Sequence, residues 1–322
     1  MLFIMKSMVF KHFKGMMILI IISILAGCGS RDVLNSKDTP TSGKIKVGVD
    51  DSYKLMMDAQ LYTFQTIYKY TRIDTMVGPE ADVFDAFMKD SLPLIIVSRK
   101  LTSDEEQYLA DRQIIPKTTR IAYDALAFIV NSDNPDTNLF YDQIADIFNG
   151  RIIHWKQINP KKSERDSVKI VFDNYKSGNT RYLKEKFNLE KLPSSCFAVN
   201  NNAEVINFIE KNKNAIGVLS VNWISDQADS VSHGFLKRIK VVRISVPGDK
   251  NPETNFYSPH PGYIVQGDYP FTREVFCINR QTYSGLAYGF SAFIAGEKGQ
   301  LIILRCGMVP ASQPVRLVEI KQ

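Results

Sequence analysis

Residues 168–187 read VKIVFDNYKSGNTRYLKEKF. Val168 to Phe172 is an apolar run of strand length. Asp173 to Asn179 is a polar loop holding one glycine, and Thr180 to Phe187 has helical spacing. The same form, an apolar strand, a small polar loop and a helix N-terminus, recurs at Val49-Asp50-Asp51-Ser52 and at Val97-Ser98-Arg99. Strand patterns also occur at Ile45 to Val49, Pro93 to Val97, Ala125 to Val130, Ile216 to Leu219 and Ile239 to Val246. Helical patterns fall between them: Tyr53 to about Tyr70, the segment opened by the capping box Thr102-Ser103-Asp104-Glu105, Tyr141 to Phe148, Ala203 to Lys211, and from Gly285 to Phe293. This alternation specifies an α/β fold with largely parallel sheets.

The three loops also indicate where chemistry sits. In open α/β sheets, ligands bind beyond the carboxyl ends of the strands. Helix N-termini there offer unpaired N–H groups and partial positive charge, which suit an anion. In the third loop Ser177, Gly178, Asn179 and Thr180 are the candidate binding residues. Gly178 lets backbone approach a ligand closely, while the hydroxyls and the Asn179 amide add neutral donors. One such loop needs no explanation beyond helix capping; three in one chain point to a shared site. Catalysis has less support. His12, His154, His233 and His260 lack metal-ligand spacing, so neither a metal nor a cofactor is expected. The sequence holds no G-x-S-x-G elbow, P-loop or dinucleotide fingerprint. A Ser/Asp/His set assembled only in space stays open as a hydrolase reading, but no pattern selects its members.

The chain has 322 residues, with 40 Lys plus Arg against 34 Asp plus Glu and a formal net charge of +6. A single core rarely grows past roughly 250 residues, so two domains are expected. Residues 1–27 hold Lys6, Lys11 and Lys14 and no acid, which leaves an excess of +3 on the rest. That is no nucleic-acid footprint. Of the four cysteines, Cys196, Cys277 and Cys306 read as buried free thiols.

The fourth, Cys28, follows a short apolar run, Met16 to Ala26. As a helix this run spans about 16 Å, too little for a hydrocarbon core of roughly 30 Å. With its basic flank, 1–27 reads as a secretory signal peptide. Leu25-Ala26-Gly27-Cys28 resembles a bacterial lipobox, which makes Cys28 the expected lipidation site. Residues 28–43 are polar and read as a tether, with the folded body starting near Lys44. The expected location is the bacterial cell envelope, lipid-anchored, on a periplasmic or extracellular face.

Longer stretches carry a family resemblance. TTRIAYDALAFIVNSDNPDTNLFYDQIADIFNGRIIHWKQIN (118–159) is similar to a run in PstS-type phosphate-binding proteins of ABC importers, with the pattern "DalAfIVNpdNPv…Lt…qi.dIf.GkI..W". LIIVSRKLTSDE (94–105), KSGNTRYLKEKF (176–187), NAIGVLSV (214–221), YPFTREVFCINR (269–280) and GFSAFIAGEKGQLIILRCGMVPA (289–311) resemble further family segments in the same order. The resemblance covers nearly all of 44–313.

It implies a two-lobed periplasmic-binding-protein fold of type II with hinge strands. One lobe would be 44–122 plus 278–322, the other 123–277. It also implies capture of phosphate or a related oxyanion, an ABC permease as partner, a monomer, and no enzymatic activity. The family's anion loops correspond here to Asp51 and Ser52, to Ser98 and Arg99, and to Ser177, Gly178 and Asn179. Three places depart from the pattern. Asp173 stands where many phosphate binders place an arginine, Glu80-Ala81-Asp82 aligns with a "GSG" loop, and Pro93 replaces an aspartate. Arg99 or Arg181 is left to supply positive charge. A carboxylate 4 Å from an anion costs about 4 kcal/mol at an effective dielectric of 20. A sensor or interaction module with an altered anion site is therefore the alternative reading.

Overall fold

The computed structural model describes residues 38–313, apart from 162–165, 226–233, 235 and 252–254. The signal peptide, Cys28, most of the tether, His12 and His233 lie outside the described residues. Packed structure takes in Asp38, ahead of the expected start at Lys44. Its carboxylate accepts hydrogen bonds from Tyr283 Oη (2.6 Å) and from the Leu286 N–H.

Strand β1 (Ser42–Asp50) buries Ile45, Val47 and Val49 on alternate positions. A 3-10 turn at Asp51–Tyr53 leads into α1 (Lys54–Ile67), which buries Met56, Met57, Leu61 and Phe64. Next come β2 (Tyr70–Gly78) and α2 (Glu80–Met88). The sequence reading places no element at either, and the stretch aligned with a loop, Glu80 to Asp82, is the first turn of α2. Then follow β3 (Leu94–Val97) and α3 (Ser103–Ala110), the latter opened by the expected reciprocal capping of Thr102 and Glu105. Strand β4 (Lys117–Asn131) runs well upstream of Ala125. The next elements are β5 (Asn138–Leu139), α4 (Tyr141–Phe148), β6 (Lys169–Phe172), α5 (Gly178–Lys186), β7 (Cys196–Ala198) and α6 (Asn202–Lys211). The last third holds β8 (Ala215–Ser220), β9 (Ile239–Val241), β10 (Arg243–Ile244), α7 (Pro261–Gln266), β11 (Thr272–Asn279), α8 (Leu286–Ala295), α9 (Glu297–Arg305) and β12 (Val309–Pro310). The single strand expected over 239–246 is thus two short ones.

The main sheet runs β2-β1-β3-β11-β4-β8-β6-β7. β1 is parallel to β2 and β3, and β6 is parallel to β7 and β8. The middle is antiparallel: β11 pairs that way with β3 and β4, and β4 with β8. The expectation of largely parallel sheets therefore holds only at the two ends. The reason lies in β4. Its first part, Lys117 to Ala125, pairs with β11, while Leu126 to Asn131 pairs with β8 and β9. One strand thereby carries the chain from one half of the sheet to the other, and β11 brings it back. The carboxyl ends of β1, β3 and β6 point toward this crossing, which brings the three polar loops together. Cys196 and Cys277 are buried free thiols, as expected, and Cys306 is buried as well. Among the described residues no helix is long and apolar enough to cross a membrane.

Candidate functional site

The loops meet around Gly178, the first residue of α5. A Cβ on this glycine would lie 2.5 Å from Ser98 Oγ, 2.6 Å from Asp50 Oδ2 and 3.0 Å from Glu80 Oε1. One residue from each loop thus converges on a point where only hydrogen fits. Gly178→Ala is expected to destabilise the fold by about 1–3 kcal/mol through overpacking, read by thermal denaturation.

The loop after β1 supplies Asp51 and Ser52. Asp51 Oδ2 accepts from the backbone N–H and the side-chain amide of Asn202, at 2.8 and 2.7 Å. Ser52 Oγ donates to Asn179 Oδ1 at 3.2 Å, and Asn222 Nδ2 donates to Ser52 O at 2.9 Å. The loop after β6 supplies Ser177, Asn179 and Thr180. Ser177 caps α5 by accepting from the Thr180 N–H at 3.2 Å, while its hydroxyl donates to Asp173 Oδ1 at 2.7 Å. Asn179 Nδ2 also donates to Asp173 Oδ1, at 3.1 Å. Thr180 Oγ1 donates to Asn174 O at 2.7 Å.

The loop after β3 supplies Ser98, whose N–H and hydroxyl both donate to Glu80 Oε1, at 2.7 and 2.5 Å. Arg181 completes this corner. Its Nε lies 2.6 Å from Glu80 Oε2, and its Nη2 donates to Ser98 Oγ at 2.9 Å. Seven of the eight candidate residues share this buried centre. Arg99 does not: its guanidinium grips Glu105 through two bonds of 2.7 and 2.8 Å and lies 3.5 Å from the centre of the Phe84 ring.

Carboxylates dominate the electrostatics. Asp50, Asp51, Glu80, Asp124 and Asp173 are all buried, against the guanidinium groups of Arg181 and Arg273. Burial, with the Glu80 and Asp173 charges, pushes Asp50 up to about 8. Burial, helped by the Asp51 charge, pushes Asp173 up to about 6. Burial also pushes at Glu80, but the Arg181 guanidinium and the Ser98 hydrogen bonds outweigh it and hold that carboxyl below its ordinary range. Arg273, on β11, pairs with Asp124 on β4 through Nε at 3.0 Å and Nη2 at 2.9 Å. Among the described residues no group of three or more His, Cys, Asp and Glu is arranged to hold a metal. His260 is structural, capping α7 through Nδ1.

The sequence reading marks Glu80 only as an acid that departs from the family's anion-loop pattern, and it missed Asp124, Asn202, Asn222 and Arg273 as members of this centre. Arg273 carried a signal inside the YPFTR stretch, and Asp124 as the first residue of the DALAFIVN run. The others join through contacts between residues far apart in the chain.

The PBP superfamily domain matches residues 35–298. The chain belongs to the PBP superfamily. A phosphate-binding protein PstS of Staphylococcus haemolyticus is 25% identical over 194 residues, covering 60% of this chain and 57% of that protein. Its counterpart in Staphylococcus saprophyticus is 23% identical over 224 residues, covering 67% and 65%. The chain therefore spans less than two thirds of the length of these curated relatives. Among solved structures, a Clostridium perfringens protein with bound phosphate superposes with a TM-score of 0.67 at 21% identity, covering 84% of this chain and all of that one. An ABC-type phosphate transport receptor from Vibrio cholerae gives 0.61 at 21%, covering 83% of this chain. The fold is accordingly the two-lobed α/β fold of periplasmic binding proteins.

Proposed function

We propose that this protein is an extracytoplasmic solute-binding protein that captures a small oxyanion, inorganic phosphate first among them, for import by an ABC permease. The reading rests on one observation above all: hydroxyl, amide and guanidinium donors from three distant strand ends converge on a buried centre around Gly178. The named relatives support phosphate as the anion. Residues 44–122 with 278–322 form one lobe in this reading and 123–277 the other, with β4 and β11 as the hinge. The proposed ligand set is Asp51, Ser52, Ser98, Ser177, Gly178, Asn179 and Thr180, with Arg181 rather than Arg99 supplying charge. Lobe closure withdraws the anion from water, where fixed dipoles act more strongly. The closed form then docks on the permease, with the protein acting as a monomer held to the membrane by a lipid on Cys28. Binding is the whole of its chemistry.

Calorimetric titration with phosphate, sulfate, molybdate and tungstate tests the reading, using protein unfolded and refolded to strip carried-over ligand. Saturable binding of phosphate is expected. If none of the four anions binds, the reading is wrong.

A further inference from the structure

Glu80 sits where the donors converge. Its carboxylate receives the Ser98 N–H at the end of β3, the Ser98 hydroxyl and the Arg181 Nε, at 2.7, 2.5 and 2.6 Å. A structural ion pair needs only the guanidinium. A backbone amide, a hydroxyl and a guanidinium focused on one carboxyl group form the mixed donor set that recognises an oxyanion. Glu80 is also almost wholly buried, so these bonds replace its hydration.

We propose that the Glu80 carboxylate is a tethered stand-in for the oxyanion, which an incoming anion must displace from Ser98 and Arg181. The inference rests on the oxyanion reading above and adds the residue that sets its affinity. Two further features fit it. Glu80 is the first residue of α2, directly after Pro79, so its side chain hangs from a helix end rather than from a strand. It also borders a cavity of about 520 Å³ lined by Phe84, Tyr175, Lys176 and Lys184. That cavity gives the displaced carboxylate somewhere to go and the anion a way in. Near Glu80 the two sides are latched, because the Ala81 N–H donates to Lys176 O at 3.2 Å and Lys176 Nζ pairs with Asp82 at 3.0 Å. Displacement of Glu80 would therefore couple anion entry to the contacts that hold the halves together.

The test compares full-length wild type with Glu80→Gln, which keeps the shape and removes the charge, and Glu80→Asp, which keeps the charge and draws it back. Phosphate titrated calorimetrically is expected to bind Glu80→Gln at least tenfold more tightly than wild type, with Glu80→Asp between them. Weaker or equal binding by Glu80→Gln overturns the inference and leaves the oxyanion reading intact. No binding of phosphate, sulfate, molybdate or tungstate by any of the three removes the oxyanion reading itself, and this inference with it. A second measurement does not need phosphate. Acetate is expected to raise the melting temperature of Glu80→Ala by taking the vacated donors, and to leave wild type unmoved. An equal response of the two proteins counts against the stand-in role.

Discussion

Asp124→Ala is expected to lower the unfolding free energy by about 3–5 kcal/mol, the usual consequence of leaving one partner of a buried ion pair alone. For a body of this size that corresponds to a melting temperature roughly 6–20 °C lower. The side chains of Asp124 and Arg273 are 0% and 3% exposed, so water does not screen the pair. Asp124 Oδ1 also accepts from Ser220 Oγ at 2.8 Å, which ties β4, β8 and β11 to one carboxylate. Removing it strands Arg273, whose Nη1 already lacks a hydrogen-bond partner among the described residues and whose guanidinium lies over the Tyr53 ring at 5.4 Å. The exposed pair Lys213–Asp133 supplies the contrast, at 71% and 63% exposure. Asp133→Ala is expected to leave the midpoint where it was, because solvent already screens that interaction. Thermal unfolding of both variants decides the matter: equal midpoints for Asp124→Ala and wild type would show that the pair does not hold the strand crossing together.

Much of the fold was legible because local patterns carry it. The three strand–loop–helix units, α4 and the buried thiols follow from apolar spacing, capping residues and small polar loops. What escaped shows the limits of such signals. β2 is an edge strand burying only Ile73, so its sequence, YTRIDTMVG, lacks the alternation that marks a half-buried strand. α2 buries Val83, Phe84 and Phe87, a helical pattern too short to stand out beside the loop alignment of Glu80 to Asp82. The candidate site was legible as a set of loops, and its charge balance only in part, through Glu80, Asp173 and Arg181. Net charge over the whole chain says nothing about five buried acids facing two arginines. Asp173 drew notice as a departure from the family pattern, yet its role depends on Ser177 and Asn179 donating to it. Glu80 meets Arg181 across 101 positions of sequence, a distance over which no periodicity operates. Arg99 misled for the opposite reason. The Ser98-Arg99 dipeptide suggested a joint role, but Glu105 on the first turn of α3 claims the guanidinium.

Stability should fall as pH rises from about 5 to 8, the reverse of what salt-bridged surface acids produce. The cause is Asp50. Its Oδ1 accepts from the Ser52 N–H at 2.9 Å, but Oδ2 has no partner among the described residues. Burial and the neighbouring Glu80 and Asp173 charges push the group up to about 8, against an opposing pull from Arg273. Asp173 moves the same way, to about 6. In the unfolded chain both titrate near the ordinary aspartate value of 3.8. Between that value and the folded one, the unfolded state binds fewer protons than the native state, so each pH unit favours unfolding. At about 1.4 kcal/mol per unit of difference, the loss by pH 8 is on the order of several kcal/mol. Glu80 opposes this only at the acid end. Its folded value is depressed, so its contribution is complete above the unfolded glutamate range and fades as pH falls through that range. The melting temperature is therefore expected to peak near pH 5 and decline toward pH 8, with Asp50→Asn flattening the decline. Thermal scans between pH 4.5 and 9 test this, and a wild-type midpoint as high at pH 8 as at pH 5 would refute it. The same titration bears on ligand charge. At neutral pH a protonated Asp50 removes one negative charge from the centre and offers a buried O–H donor beside Gly178, so anion binding should weaken as pH rises past 8 even where the anion's own ionisation no longer changes.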